Sequence, residues 1–129
     1  MRLKQFNLVI GSQLFKAFSE ESRIRILHLL FQHKEMCISD LEQVLDYTQT
    51  KTSRHLVYLK NSGLLNSKQV DQWVFYYIKD EYYDIISHLF QYLNKDLTLQ
   101  KDLETYRILF SNRELAVNKL QNKKWESYQ

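Results

Sequence analysis

A mainly α-helical chain with one small β-hairpin is what this sequence predicts, and three observations carry the prediction. Apolar residues recur at helical intervals over most of the 129 residues. The period changes to alternation once, in residues 64–78. There Trp73, Phe75 and Tyr77 fall on one side of a strand and Val74, Tyr76 and Ile78 on the other. Residues 48–65, TQTKTSRHLVYLKNSGLL, join an apolar face to a polar face whose only formal charges are positive, and they close on a glycine. A hydrophobic content of 44% excludes a largely disordered chain. At this length a single compact unit buries about two thirds of its unfolded surface.

From the amino terminus, Leu3, Phe6 and Ile10 fit helical intervals, although an extended segment is the alternative. A division is expected at Gly11 and Ser12, with Ser12 capping a helix that carries Leu14, Phe15 and Phe18. Ser19 or Ser22 caps the next helix, whose core face is Ile24, Leu27, Leu30 and Phe31. Residues 35–46, EMCISDLEQVLD, hold four acids and no base. Ile38, Leu41, Val44 and Leu45 are helically spaced there, and Ser39 with Glu42 forms a candidate capping box. A turn follows at 46–48. In the helix after it, Thr52, Leu56 and Leu59 lie within roughly 40° of one another at about 100° per residue, an inward stripe. Thr50, Arg54, Val57 and Asn61 face the other way, flanked by Lys51, Ser53, Tyr58 and Lys60. Gly63 supplies the left-handed stop.

A short acidic helix, a turn and a basic second helix make a helix-turn-helix. Asp71 and Gln72 sit where a two-residue turn joins the strands of the hairpin, which then forms a wing. The fold class is therefore a winged helix-turn-helix. Beyond the wing, Tyr82, Ile85, Ile86, Leu89, Phe90 and Leu93 make an apolar stripe too broad for one helix on a small domain, and burial against a second subunit resolves it. Leu99, Leu103, Tyr106, Phe110, Arg113, Val117, Leu120 and Lys124 form an imperfect heptad seam. They predict a helical extension, either continuous or interrupted near Ser111 and Asn112, that packs on the same dimer. The expected division is a DNA-binding and dimerisation domain at 1–96 and this extension at 97–129.

The chemistry of residues 48–61 points to double-stranded DNA. Lys51, Arg54 and Lys60 draw in phosphate with no carboxylate to oppose them. Gln49, Thr50, Ser53 and Asn61 offer short donors and acceptors to base edges, and Val57 offers contact to a thymine methyl. Tyr58 flanks the same face. His55 borders the inward stripe, where it either supports the helix or donates to a phosphate. Lys68 is the cation nearest the wing tip. The net charge of +3 is too small to diagnose nucleic-acid binding, so placement of charge decides. The alternative is a protein-interaction module whose basic face meets an acidic partner. Arg23 and Arg25 read either as phosphate contacts or as partners of Glu20 or Glu21.

No nucleophile, base and orienting group recur at a motif spacing, so an enzyme is not expected, nor is a cofactor. A single cysteine makes no internal disulfide. With no apolar run near 18 residues and no signal-peptide pattern, a cytoplasmic protein without a membrane partner is expected.

Four blocks in order, FKAFSEESRIRILHLL, EMCISDLEQVL, TQTKTSRHLVYLKNSGLL and QWVFYYI, resemble the ArsR/SmtB family of winged-helix repressors. The resemblance runs over residues 14–93. It implies a homodimeric repressor that holds a two-fold symmetric operator and releases it on a signal. It also implies a dimer interface from the first and post-wing helices, here Leu3, Phe6, Ile10, Leu14, Ile85, Ile86, Leu89, Phe90 and Leu93. Many members bind a soft metal through Cys-x-Cys, but this chain has Cys37 followed by Ser39, and a hydroxyl is a poor soft-metal ligand. The family's second site corresponds to Asp80, Tyr82, Leu93 and Asp96, two of which are unsuitable. No metal is therefore expected, and the inducer is left unassigned.

The remaining candidates have simpler readings. Asp84 and His88 suit a hydrogen bond better than a metal pair, and His28 reads as a core histidine. His33 belongs at a helix end, and Cys37 is a small buried hydrophobe before it is a redox sensor. Where the family often carries Arg and Gly at the wing tip, this chain has Gln69, Asp71 and Gln72.

Overall fold

The computed structural model describes residues 6–127, with side-chain surroundings described over 6–112. Six helices and a three-stranded sheet follow in the order α1 (Leu8–Ala17), α2 (Glu21–His33), β1 (Glu35–Cys37), α3 (Ile38–Leu45), α4 (Gln49–Asn61), β2 (Leu65–Val70), β3 (Trp73–Ile78), α5 (Tyr83–Gln91) and α6 (Leu97–Ser127). A single 3-10 turn, Asp80–Tyr82, leads into α5. The architecture is a winged helix-turn-helix, with α3 and α4 as the two helices and β2–β3 as the wing.

The amino-terminal helix differs from expectation. It runs unbroken through Gly11 and Ser12, because its cap is Asn7, whose side chain accepts from the Ile10 amide at 2.9 Å. Gly11 is buried in this helix, and the Phe6 ring lies 3.4 Å from where a Cβ would stand. Neither Ser19 nor Ser22 caps α2. Glu20 holds the cap position without a side-chain bond, Ser19 donates back to the Lys16 carbonyl at 2.7 Å, and Ser22 accepts from Tyr47.

The expected Ser39–Glu42 capping box is also absent. Cys37 occupies the cap of α3, and the Ser39 hydroxyl is 3.2 Å from the Cys37 sulfur instead. The reason is a strand that the acidic segment conceals: Glu35, Met36 and Cys37 pair antiparallel with Tyr77, Tyr76 and Phe75. The sheet order is β1-β3-β2, so β3 is its centre. Met36 and Cys37 are thereby fixed at the sheet, and helix starts only after them.

The hairpin matches expectation. Val70 faces Trp73 across the two-residue turn, and Asp71 takes the left-handed conformation at φ 55°. Ile78 and Tyr76 turn toward the core while Val74, near the tip, stays exposed.

One hydrophobic core joins all the helices, with Leu14, Ile26, Leu27, Leu30, Leu41, Leu56, Leu59 and Phe90 fully enclosed. Phe90 of α5 sits among Phe18, Phe31 and the edge of His28, with ring centroids 4.9–5.7 Å apart. This packing takes up three of the residues expected at a dimer interface. Leu14, Ile86 and Phe90 are 0% exposed within one protomer, so they belong to its own core. Ile10, Ile85, Leu89 and Leu93 are half-buried against that core, and Phe6 is exposed. Leu3 lies outside the described residues. Apolar side chains left open near these positions include Leu8, Val9 and Phe15 on α1 and Tyr92 after α5.

The extension is continuous through Ser111 and Asn112, so of the two alternatives the unbroken helix is the one formed. At ~1.5 Å per residue its 31 residues span about 46 Å. Its amino-terminal half lies on α2 and α3 through Leu99, Leu103, Tyr106 and Leu109, and Tyr106 stacks on His33 at 4.4 Å. His33 thus has a ring partner besides its place at a helix end. Arg113, Val117, Leu120 and Lys124 lie beyond the described side chains. Among the described residues no helix is long and apolar enough to cross a membrane.

Candidate nucleic-acid interface

Helix α4 is bounded as its sequence demands. Thr48 caps it, accepting from the Lys51 amide at 3.1 Å, and Asp46 at φ 56° reverses the chain just before. At the other end the Gly63 amide donates to the Lys60 carbonyl and the Leu64 amide to the Leu59 carbonyl, the paired bonds of a Schellman motif. Gly63 takes φ 91°, as that motif requires.

Between these ends the two faces separate cleanly. Thr52, Leu56 and Leu59 are 0% exposed and anchor the helix in the core. Gln49, Thr50, Arg54, Val57, Tyr58, Lys60 and Asn61 are exposed, and Lys51 and Ser53 are half-buried at the border. Arg54 is exposed, and among the described residues no hydrogen bond or ion pair reaches its guanidinium, which faces solvent. Arg54 stands outward because Leu56 and Leu59 are held inward.

Three cations around this face are steered by neighbours. The Lys51 ammonium lies 3.9 Å over the Tyr47 ring. Lys60 donates to Ser67 of β2 at 2.8 Å, which ties α4 to the wing. Lys68 pairs with Glu35 at 2.6 Å, so the wing's cation is offset by a carboxylate from β1.

His55 is 4% exposed, which resolves its two readings toward support of the helix. Its Nδ1 lies 3.8 Å from Glu20, and burial lowers its pKa first, with nearby Arg54, Arg23 and Lys51 pushing the same way and Glu20 opposing. The ring sits behind the outward face.

Arg23 and Arg25 both lie inside the protomer. Arg23 is 6% exposed, pairs with Glu20 at 3.1 Å, donates to the Ala17 carbonyl at 3.1 Å and lies 4.3 Å under the Tyr58 ring. It therefore joins the end of α1 to α4. Arg25 pairs with neither Glu20 nor Glu21. Its partner is Asp102 of α6, held by two 2.9 Å bonds that raise the Arg25 pKa. Sequence spacing offered no signal for a pair 77 residues apart.

The positions aligned with metal sites do not fit a metal. Cys37 is hydrogen-bonded to Ser39, Tyr82 and Leu93 pack in or against the core, and an Asp96 oxygen caps α6 by accepting from the Thr98 and Leu99 amides. Asp84 and His88 stand 3.7 Å apart on an exposed face. Among the described residues no three His, Cys, Asp or Glu gather at metal-holding distance.

A family model described as "Bacterial regulatory protein, arsR family" matches residues 20–67. The arsenical resistance operon repressor of Escherichia coli K12 is 45% identical over 70 residues, 54% of this chain and 60% of that protein. The chain therefore spans less than two thirds of that relative's length. Among solved structures, HlyU from Vibrio cholerae N16961 is 30% identical with a TM-score of 0.60, over 69% of this chain and 96% of that one. A homodimeric winged helix-turn-helix DNA-binding domain from Mycobacterium bovis, described as a possible ArsR-family transcriptional regulator, is 23% identical with a TM-score of 0.59. It covers 75% of this chain and 93% of its own, a likeness in fold alone. The block pattern, the winged helix-turn-helix architecture and these matches agree, and the chain belongs to the arsR family of bacterial regulatory proteins.

Proposed function

We propose that this chain is a sequence-specific DNA-binding transcriptional regulator, a repressor that grips a palindromic operator as a homodimer. The observation that carries the reading is the face of α4. Arg54 and Lys60 stand exposed there with Lys51 at the border, no acid lies between residues 48 and 65, and a fully buried stripe holds the helix rigid behind them. The name of the Escherichia coli relative supports repression, and the Mycobacterium bovis domain supports a dimer. Exposed Leu8, Val9 and Phe15 on α1 and Tyr92 after α5 offer apolar surface that a second copy would cover. Two α4 helices would then enter major grooves about 34 Å apart. The inducer is unassigned.

The test is fluorescence anisotropy against promoter DNA upstream of the chain's own gene, as a function of salt. Arg54→Ala removes one side chain from each half-site. At about 1–3 kcal/mol apiece, affinity falls on the order of 30-fold or more while fold and dimer persist. Lys60→Ala weakens all sequences alike and flattens the salt slope. Equal weak binding of every duplex that vanishes near physiological salt rejects specific repression and favours a protein-interaction module.

A further inference from the structure

We propose that Asp102, on the extension beyond the family-matched segment, is a positioning residue for DNA reading, acting through Arg25 and Tyr47 on the start of α4. The proposal rests on the DNA-binding reading above. Asp102 is 3% exposed, and both its carboxylate oxygens accept from Arg25, Oδ2 from Nε and Oδ1 from Nη2, each at 2.9 Å. That fork fixes the guanidinium plane. The remaining Nη1 of Arg25 donates to the Tyr47 hydroxyl at 3.0 Å, and this hydroxyl donates onward to the Ser22 hydroxyl at 3.0 Å. Tyr47 is thus held at its tip from two directions.

Tyr47 sits between Asp46, which reverses the chain, and Thr48, which caps the recognition helix. The Tyr47 ring carries the Lys51 ammonium at 3.9 Å, so it orders a border cation of the DNA-facing surface. A chain of direct contacts therefore runs from α6 to the reading head.

Cohesion alone is a poor explanation for such a pair. Desolvation of both partners offsets much of a buried ion pair's attraction, whereas its geometry remains exacting. Here the geometry ends at Lys51.

The experiment uses the full chain and the duplex that the wild-type protein binds tightest from a random-sequence pool, with a scrambled duplex as reference. Asp102→Asn keeps the shape of the side chain but loses the charge and one of the two acceptors. It is expected to weaken binding to the selected duplex about fivefold, with circular dichroism and dimer mass unchanged. In a Lys51→Ala background the same substitution should cost about twofold or less, because the end of the chain is already gone. Tyr47→Phe removes only the hydroxyl and should repeat the pattern, which keeps the test intact if Asp102→Asn folds poorly. Wild-type affinity in both folded variants, or an equal loss in both backgrounds, overturns the relay alone. Absence of any preferred duplex for the wild-type protein overturns the DNA-binding reading and the relay with it.

Discussion

Arg23→Ala removes a guanidinium that organises three elements, and its cost follows from what each partner retains. The Ala17 carbonyl loses its donor at a buried site, worth about 1–3 kcal/mol. The Lys16 carbonyl also accepts from the Arg23 guanidinium but loses little, since it still receives the Ser19 amide at 3.2 Å and the Ser19 hydroxyl at 2.7 Å. Glu20 is 55% exposed, so its ion pair with Arg23 contributes under about 1 kcal/mol. Loss of the guanidinium under Tyr58 costs about 1 kcal/mol more. The sum is about 3 kcal/mol. Urea unfolding at one fixed protein concentration reads it directly, because the stability of the proposed dimer would depend on concentration. Arg23→Lys keeps the charge without the planar fork and should recover less than half. A loss below about 1 kcal/mol for Arg23→Ala would refute the role assigned to the Ala17 bond.

Other substitutions probe how α4 is held. Leu56→Ala empties a fully buried site in the centre of the core and should cost about 3–5 kcal/mol by denaturant unfolding; a loss under about 1.5 would mean that the site collapses. Gly63→Ala meets no atom within 4 Å, so its cost is purely that of φ 91°, about 1–2 kcal/mol, and an unchanged melting temperature would contradict it. Stability should also fall with acid. Burial is the first cause lowering the pKa values of His28, His33 and His55, so the unfolded chain takes up protons below about pH 6.5 that the folded chain refuses. This destabilisation grows as pH falls from that value toward the depressed folded pKa values. His28→Phe should shallow the slope between pH 7 and 5, at about one proton's worth; an identical slope would exclude His28 as a contributor.

Much of the site was legible because it is local. The inward set of Thr52, Leu56 and Leu59 follows from helical period, and the Thr48 and Gly63 boundaries follow from cap chemistry and backbone sterics. The Asp71 turn follows likewise from what two residues between strands must do. Helix α1 was harder. Gly11 and Ser12 look like a break, yet Asn7 supplies a cap and the Phe6 ring packs beside the bare glycine, neither of which is visible in periodicity.

By itself the sequence determined the fold class, the two faces of α4 and the sign of the charge on the outward one, since each depends on residues within a few positions of one another. Tertiary structure alone decided the β1 strand, too short to show a period and defined only by its pairing with β3. It also decided that His55 is enclosed, that Glu35 offsets Lys68, and that Leu14, Ile86 and Phe90 serve the protomer's own core. The Arg25–Asp102 pair belongs with these. The energy of burial or pairing depends on which groups are brought together, and for these residues the partners come from distant parts of the chain.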